Sequence, residues 1–228
     1  MTEKDSKEQI LTALEMKAIV KQKVYDQTLE TFNLLKEILQ EIETEYNAQL
    51  QIKDPRIHLA YKDRGQFECE LKVAGDLLIF SMHSNIFEFD RNHNVWKLSY
   101  VSENKIFSYC GIINIYNFLA DSFKYNRIED LGYLITRIFV NIEKHFFVEG
   151  KRQNEYLYNN FGQAVLNKEV LKEILMNAIL YSLEFDLLVP PYDQIKIASV
   201  AQMVEKIEFS KMQTGKRLGF KFNSDDVS

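Results

Sequence analysis

Cysteine, proline and glycine are all scarce in this chain of 228 residues, which holds two, three and eight of them. Cys69 and Cys110 sit among apolar neighbours with no ligand spacing between them, so they are expected to pack as small core hydrophobes. A disulfide is not expected, because no apolar leader that would direct export follows Met1–Asp5. The prolines are Pro55, Pro190 and Pro191, which leaves everything from Arg56 to Val189 free of a residue that removes a backbone donor. Long helices and a continuous sheet need that freedom. Glycine-rich phosphate loops and a G-x-S-x-G elbow are missing, which removes the usual sequence signs of nucleotide binding and serine chemistry.

Two further absences narrow the partners. The longest uncharged stretch, Ile106–Ala120, has 15 residues and contains Ser108, Asn114 and Asn117. A spanning helix needs about 18 to 20 mostly apolar residues, so no membrane partner is expected and the compartment is read as cytoplasmic. Positive charge is in deficit, with 28 basic against 33 acidic residues and a net charge of −5, so a nucleic acid is not expected as a partner either.

What is present is strongly patterned. Ser6 and Gln9 fit a capping box, and Leu11, Ala18, Tyr25, Phe32, Leu39 and Tyr46 then recur every seven residues. This predicts an amphipathic helix to about Leu50, interrupted near Lys21–Lys23, that either covers the chain's own sheet or self-associates through residues 8–50. From Arg56 to Val101 the pattern is that of an antiparallel meander. Phe67, Cys69, Leu71 and Val73 alternate with Gln66, Glu68, Glu70 and Lys72, and Ile57–Tyr61 and Trp96–Tyr100 repeat the alternation more briefly. Leu77–Phe89 reads as one bent strand or two, with turns at Asp63–Gly65, Ala74–Asp76 and Asp90–Asn94.

Ile112, Ile115, Tyr116, Leu119 and Phe123 have helical spacing and predict a helix. Tyr133–Val140 and His145–Val148 then predict a β-hairpin around Asn141–Lys144, with a helix through 128–145 as the competing reading. Asn167 is placed to cap a helix that Pro190 and Pro191 stop, and a second helix is expected from Asp193 to near Gly215. Leu218, Phe220 and Phe222 suggest a last short strand, and 223–228 a disordered tail. The fold class is therefore α+β: a long N-terminal helix over 1–54, then a domain over 55–222 with a meander of five or more strands, a hairpin and two C-terminal helices packed on the sheet.

Candidate chemistry is thin. Glu149 and Lys151 lie two apart at the end of an apolar strand, where with a further acid they could hold Mg²⁺ as divalent-metal phosphodiesterases do. If the hairpin turns at Asn141–Lys144, Glu149 faces Thr136 and Asp130 is about 20 Å away, so another acid such as Asp121 would have to serve. His83, Asp90 and His93 lack any spacing that brings metal ligands together by secondary structure. Lys211, Lys216, Arg217 and Lys221 beside Phe220 and Phe222 read as an edge strand guarded by lysines. The leading expectation is a non-catalytic interaction or regulatory module with no cofactor. The alternatives are the Glu149–Lys151 hydrolase and a binder of a small apolar ligand lodged between sheet and helices.

Overall fold

The structure, a computed structural model, describes residues 3–50, 53–54, 57–150, 161–184 and a few positions between 197 and 204. Helix α1 (Glu3–Ala13) runs through a π-helical turn, Leu14–Ala18, into α2 (Ile19–Leu50). Ser6 is thus inside the helix rather than at its cap, and the irregular turn falls earlier than Lys21–Lys23. From Val24 onward one stripe is buried, through Thr28, Phe32, Leu35, Leu39 and Ile42. Steps of three and four residues keep those side chains on one face.

Among the described residues, seven strands form one antiparallel sheet: β1 (Leu59–Asp63), β2 (Glu68–Val73), β3 (Asp76–Met82), β4 (Phe87–Glu88), β5 (Tyr109–Leu119), β6 (Tyr133–Val140) and β7 (Phe146–Gly150). Their spatial order is β1-β2-β3-β5-β6-β7, and β4 pairs with β5 beyond the end of β3. Helix α2 and helix α5 (Lys168–Leu183) cover one face, burying Leu71, Leu78, Phe80, Ile113, Ile115 and Ile138 beneath them. The Asn167 side chain accepts a hydrogen bond from the Val170 N–H at 2.9 Å, so it caps α5 as its sequence position implies. The helix ends at Leu183, ahead of Pro190 and Pro191. Most of the second helix expected from Asp193, the strand at 218–222 with its lysines, and the tail lie outside the described residues.

Two segments differ from the sequence expectation. Tyr109–Leu119 is a strand, the longest described, rather than part of a helix. Its second face, half-buried, still carries Ile112, Tyr116 and Phe118, so the strand is apolar at most positions and an i, i+3, i+4 match arises without a helix. The two asparagines that spoil the helical stripe serve the sheet: the Asn114 Oδ1 accepts from Arg137 Nε at 3.1 Å, and Asn117 donates to Asp76 at 3.1 Å. A short helix, α4 (Ala120–Lys124), follows. Conversely, the alternating Trp96–Tyr100 is no strand. A 3₁₀ turn (Asn94–Lys97) and helix α3 (Ser99–Glu103) occupy it, held by the His93 Nδ1 accepting from Val95 N–H and the Trp96 indole donating to the Asp90 carbonyl at 2.8 Å. Tyr133–Val140 and Phe146–Gly150 form the hairpin and not the competing helix.

The helix layer comes close to the sheet at Gly111. A Cβ there would lie 2.0 Å from the Thr28 hydroxyl oxygen, so only hydrogen fits. Thr28 is itself fully buried, its hydroxyl donating to the Val24 carbonyl at 2.7 Å. Helix α2 also closes the free edge of β1. Asn47 accepts from the Leu59 N–H at 2.8 Å and donates to the Leu59 carbonyl at 2.9 Å, and Glu43 accepts from the Tyr61 N–H at 3.0 Å. Lys36 donates to Asp63 at 3.0 Å. The Asp63 carboxyl is held below its ordinary range, first by the Gly65 N–H and then by Lys36. That contribution is complete above the ordinary aspartate range and is lost as the pH falls through the lowered value.

Gly111→Ala is expected to destabilise the protein by about 1–3 kcal/mol through overpacking, with Thr28→Ala recovering part of the loss in the double variant. Asn47→Ala should cost about 1–3 kcal/mol by leaving two backbone groups of the edge strand without partners. Urea denaturation midpoints check both.

Candidate functional site

The face of the sheet away from α2 and α5 carries a row of directly opposed polar residues: Glu68, Ser81, Asn114, Arg137 and Glu149, one from each of β2, β3, β5, β6 and β7. Beside this row, α3 and the turn before it form an aromatic pad, where Val95, Val101, Cys110, Phe139 and Phe161 are buried and Phe89, Trp96 and Phe107 pack against them. The Tyr100 ring stacks on Phe107 with centroids 4.2 Å apart. Its hydroxyl donates to Glu143 at 2.7 Å and accepts from Asn141 at 2.9 Å, tying the pad to the β6–β7 turn.

Glu149 stands where the polar row meets the pad, half-exposed on β7. It faces Arg137, not Thr136. The reason lies in the turn. The Asn141 side-chain oxygen accepts from both the Glu143 and His145 N–H groups, at 3.0 and 2.9 Å, and Lys144 takes a positive φ of 59°. The loop is therefore one residue longer than Asn141–Lys144, and Val140 pairs with Phe146. A one-residue change of register alters which side chains meet across the strands. Phe146 and Val148 point into the helix-covered core, so Phe147 and Glu149 point out.

The two oxygens of Glu149 have different neighbours. His93 Nε2 is 3.9 Å from one and Arg137 is 3.7 Å from the other, both beyond hydrogen-bond length. Since the His93 Nδ1 accepts from Val95 N–H at 3.2 Å, the proton of the neutral ring sits on Nε2, toward the carboxylate. The ring stacks on Phe89 at 4.7 Å and meets Phe147 edge-on at 5.9 Å. Under the arch from Phe87 to His93, the residues Phe87–Asp90 and His93 line an open cleft of about 260 Å³, with Cys110, Ile112 and Phe139 as its floor and Glu149 at one side.

The other candidate residues lie apart. Asp130 accepts from the Ser122 hydroxyl at 2.6 Å beyond the start of β6, and Tyr133 to Arg137 alone spans about 13 Å at 3.3 Å per residue. Asp121 is exposed on α4. His83 turns its Nδ1 onto the Asn85 N–H at 3.0 Å, while Asp90 and His93 both line the cleft. Lys151 lies outside the described residues. Among the described residues no group of three or more histidine, cysteine or acidic side chains is placed to hold a metal ion. A divalent ion at Glu149 would need more carboxylate oxygens than that side chain alone supplies. Sequence reasoning did not single out Arg137, because the residue opposite Glu149 depends on the length of the β6–β7 loop and no local signal gave that length.

Both thiols are fully buried, and burial pushes Cys69 up to about 12 and raises Cys110 as well. A thiolate is the reactive form, so neither is poised as a nucleophile. No helix among the described residues is long and apolar enough to cross a membrane. No family model, curated protein or solved structure matches the chain. In the native protein, Cys69 and Cys110 should resist Ellman's reagent and react only after denaturation. Prompt native-state labelling of either would contradict this account of the thiols.

Proposed function

We propose that the protein is a non-catalytic interaction module that pairs with a second copy of itself through its N-terminal helical arm. The observation that carries this reading is the exposure of Ile10, Leu11, Leu14, Met16 and Ile19, each at least 50% open to solvent within ten residues of helix. Residues 7–19 are all exposed, and burial begins only at Val24. Of the span 8–50, the part from Val24 to Ile42 spends its apolar stripe on the protein's own core, which leaves the arm as the contact surface. Glu3–Lys23 extends for about 30 Å at 1.5 Å per residue. A projecting helix with this much apolar surface gains by burying it.

Charge favours a second copy as the occupant. Glu8 and Glu15 outnumber Lys7 in the first part of the arm, whereas Lys17, Lys21 and Lys23 have no acid among them. An antiparallel pair of arms lays the acidic end of each on the basic end of the other, an arrangement that opposite charges support.

Light scattering across a dilution series should give the mass of two chains at the higher concentrations. The double variant Leu11→Glu, Leu14→Glu should give the mass of one, with an unchanged melting temperature because the arm lies outside the core. A single-chain mass for the wild-type protein at every concentration, or a two-chain mass retained by the variant, defeats the proposal.

A further inference from the structure

The cleft under the Phe87–His93 arch has a chemically one-sided lining. Phe87, Phe89, Ile112 and Phe139 supply apolar surface, Glu88, Asp90 and Glu149 supply three carboxylates, and among the described residues no lysine or arginine lines it. The carboxylates are unequally engaged. Glu88 is paired with Arg91 at 3.1 Å. Asp90 accepts only a backbone hydrogen bond, from the Asn92 N–H at 2.8 Å, and Glu149 meets Arg137 and His93 no nearer than 3.7 and 3.9 Å. Two of the three therefore keep acceptor capacity for a donor entering the cleft. The neighbouring rings already attract cations, with the Arg91 guanidinium 4.5 Å from the centre of Trp96 and that of Arg137 6.0 Å from Phe139. An aromatic face is electron-rich, and a positive group against it is stabilised.

We propose that this cleft binds a compact organic cation. The ammonium head lies toward Glu149 and Asp90, and the apolar body rests on Phe89, Ile112 and Phe139. Neither an anion nor a neutral apolar molecule would use the acceptor capacity left on Asp90 and Glu149. A bare metal ion would find too few oxygens among apolar walls. The volume, about 260 Å³, suits a body the size of a single ring and is too small for a nucleotide. This site is independent of the arm.

Benzylammonium serves as the probe, titrated into the isotopically labelled full chain and followed by amide chemical shifts. Saturable shifts confined to residues 87–93, 110–112 and 149 are expected, at millimolar affinity. Glu149→Gln keeps the shape of the side chain and should weaken binding roughly tenfold. Phe89→Leu should weaken it separately, with the melting temperature of each variant confirming that it is folded. Benzoate and benzyl alcohol, which share the ring without the positive head, should not shift these signals. Absence of saturable shifts with benzylammonium, unchanged affinity in Glu149→Gln, or equal binding of benzoate overturns the proposal.

Discussion

The close approach of helix α2 to the central strand, at Thr28 and Gly111, sets the position of the whole helix layer. With no side chain on Gly111 the helix can lie low over β5, and its next turns then bring Phe32, Leu35 and Leu39 into one buried cluster with Leu71, Phe80 and Ile115. The same placement carries Glu43 and Asn47 to the outer edge of β1, where they bond backbone groups that would otherwise invite another strand, and brings Lys36 to the Asp63 carboxylate. One helix thus seals both a face and an edge. Helix α5 completes the cover beside it, with Lys168 donating to Glu41 at 2.6 Å.

Sealing one face decides the character of the other. Each strand alternates, so the residues turned away from α2 and α5 include the polar row that ends in Arg137 and Glu149. The aromatic pad covers only one end of that face, and the β4 arch bridges pad and row. A cleft with carboxylates on its rim and rings on its floor is the consequence of that partial cover. Its polar groups come from β7 and from the turn after β4, far apart in the chain. The helical arm is the opposite case, an apolar surface formed by contiguous residues beyond the limit of the sheet.

How far the sequence could be read depended on whether a signal was local. Strict alternation through Phe67–Val73 identified β2, and the Asn167 position identified the start of α5, because a strand face and a capping oxygen act within a few residues. Tyr109–Leu119 was misread because apolar residues on both faces, Ile112, Tyr116 and Phe118 as well as Ile113 and Ile115, erase the alternation. The segment after His93 was misread because its turns are stabilised by ring contacts and by a histidine nitrogen rather than by a residue pattern. Glu149 was legible as a candidate, yet its partners were not: one extra residue in the β6–β7 loop exchanged Thr136 for Arg137.

The amino-acid sequence by itself determined the α+β class, the amphipathic N-terminal helix and the absence of the common catalytic motifs, since periodicity and residue chemistry do not require knowing what lies across the fold. Only the tertiary structure decided that the stripe of α2 is consumed by the core from Val24 onward while the arm stays bare. It alone brought His93, Arg137 and Glu149 together, because strand register and the height of a helix over a sheet are set by contacts between residues distant in the chain.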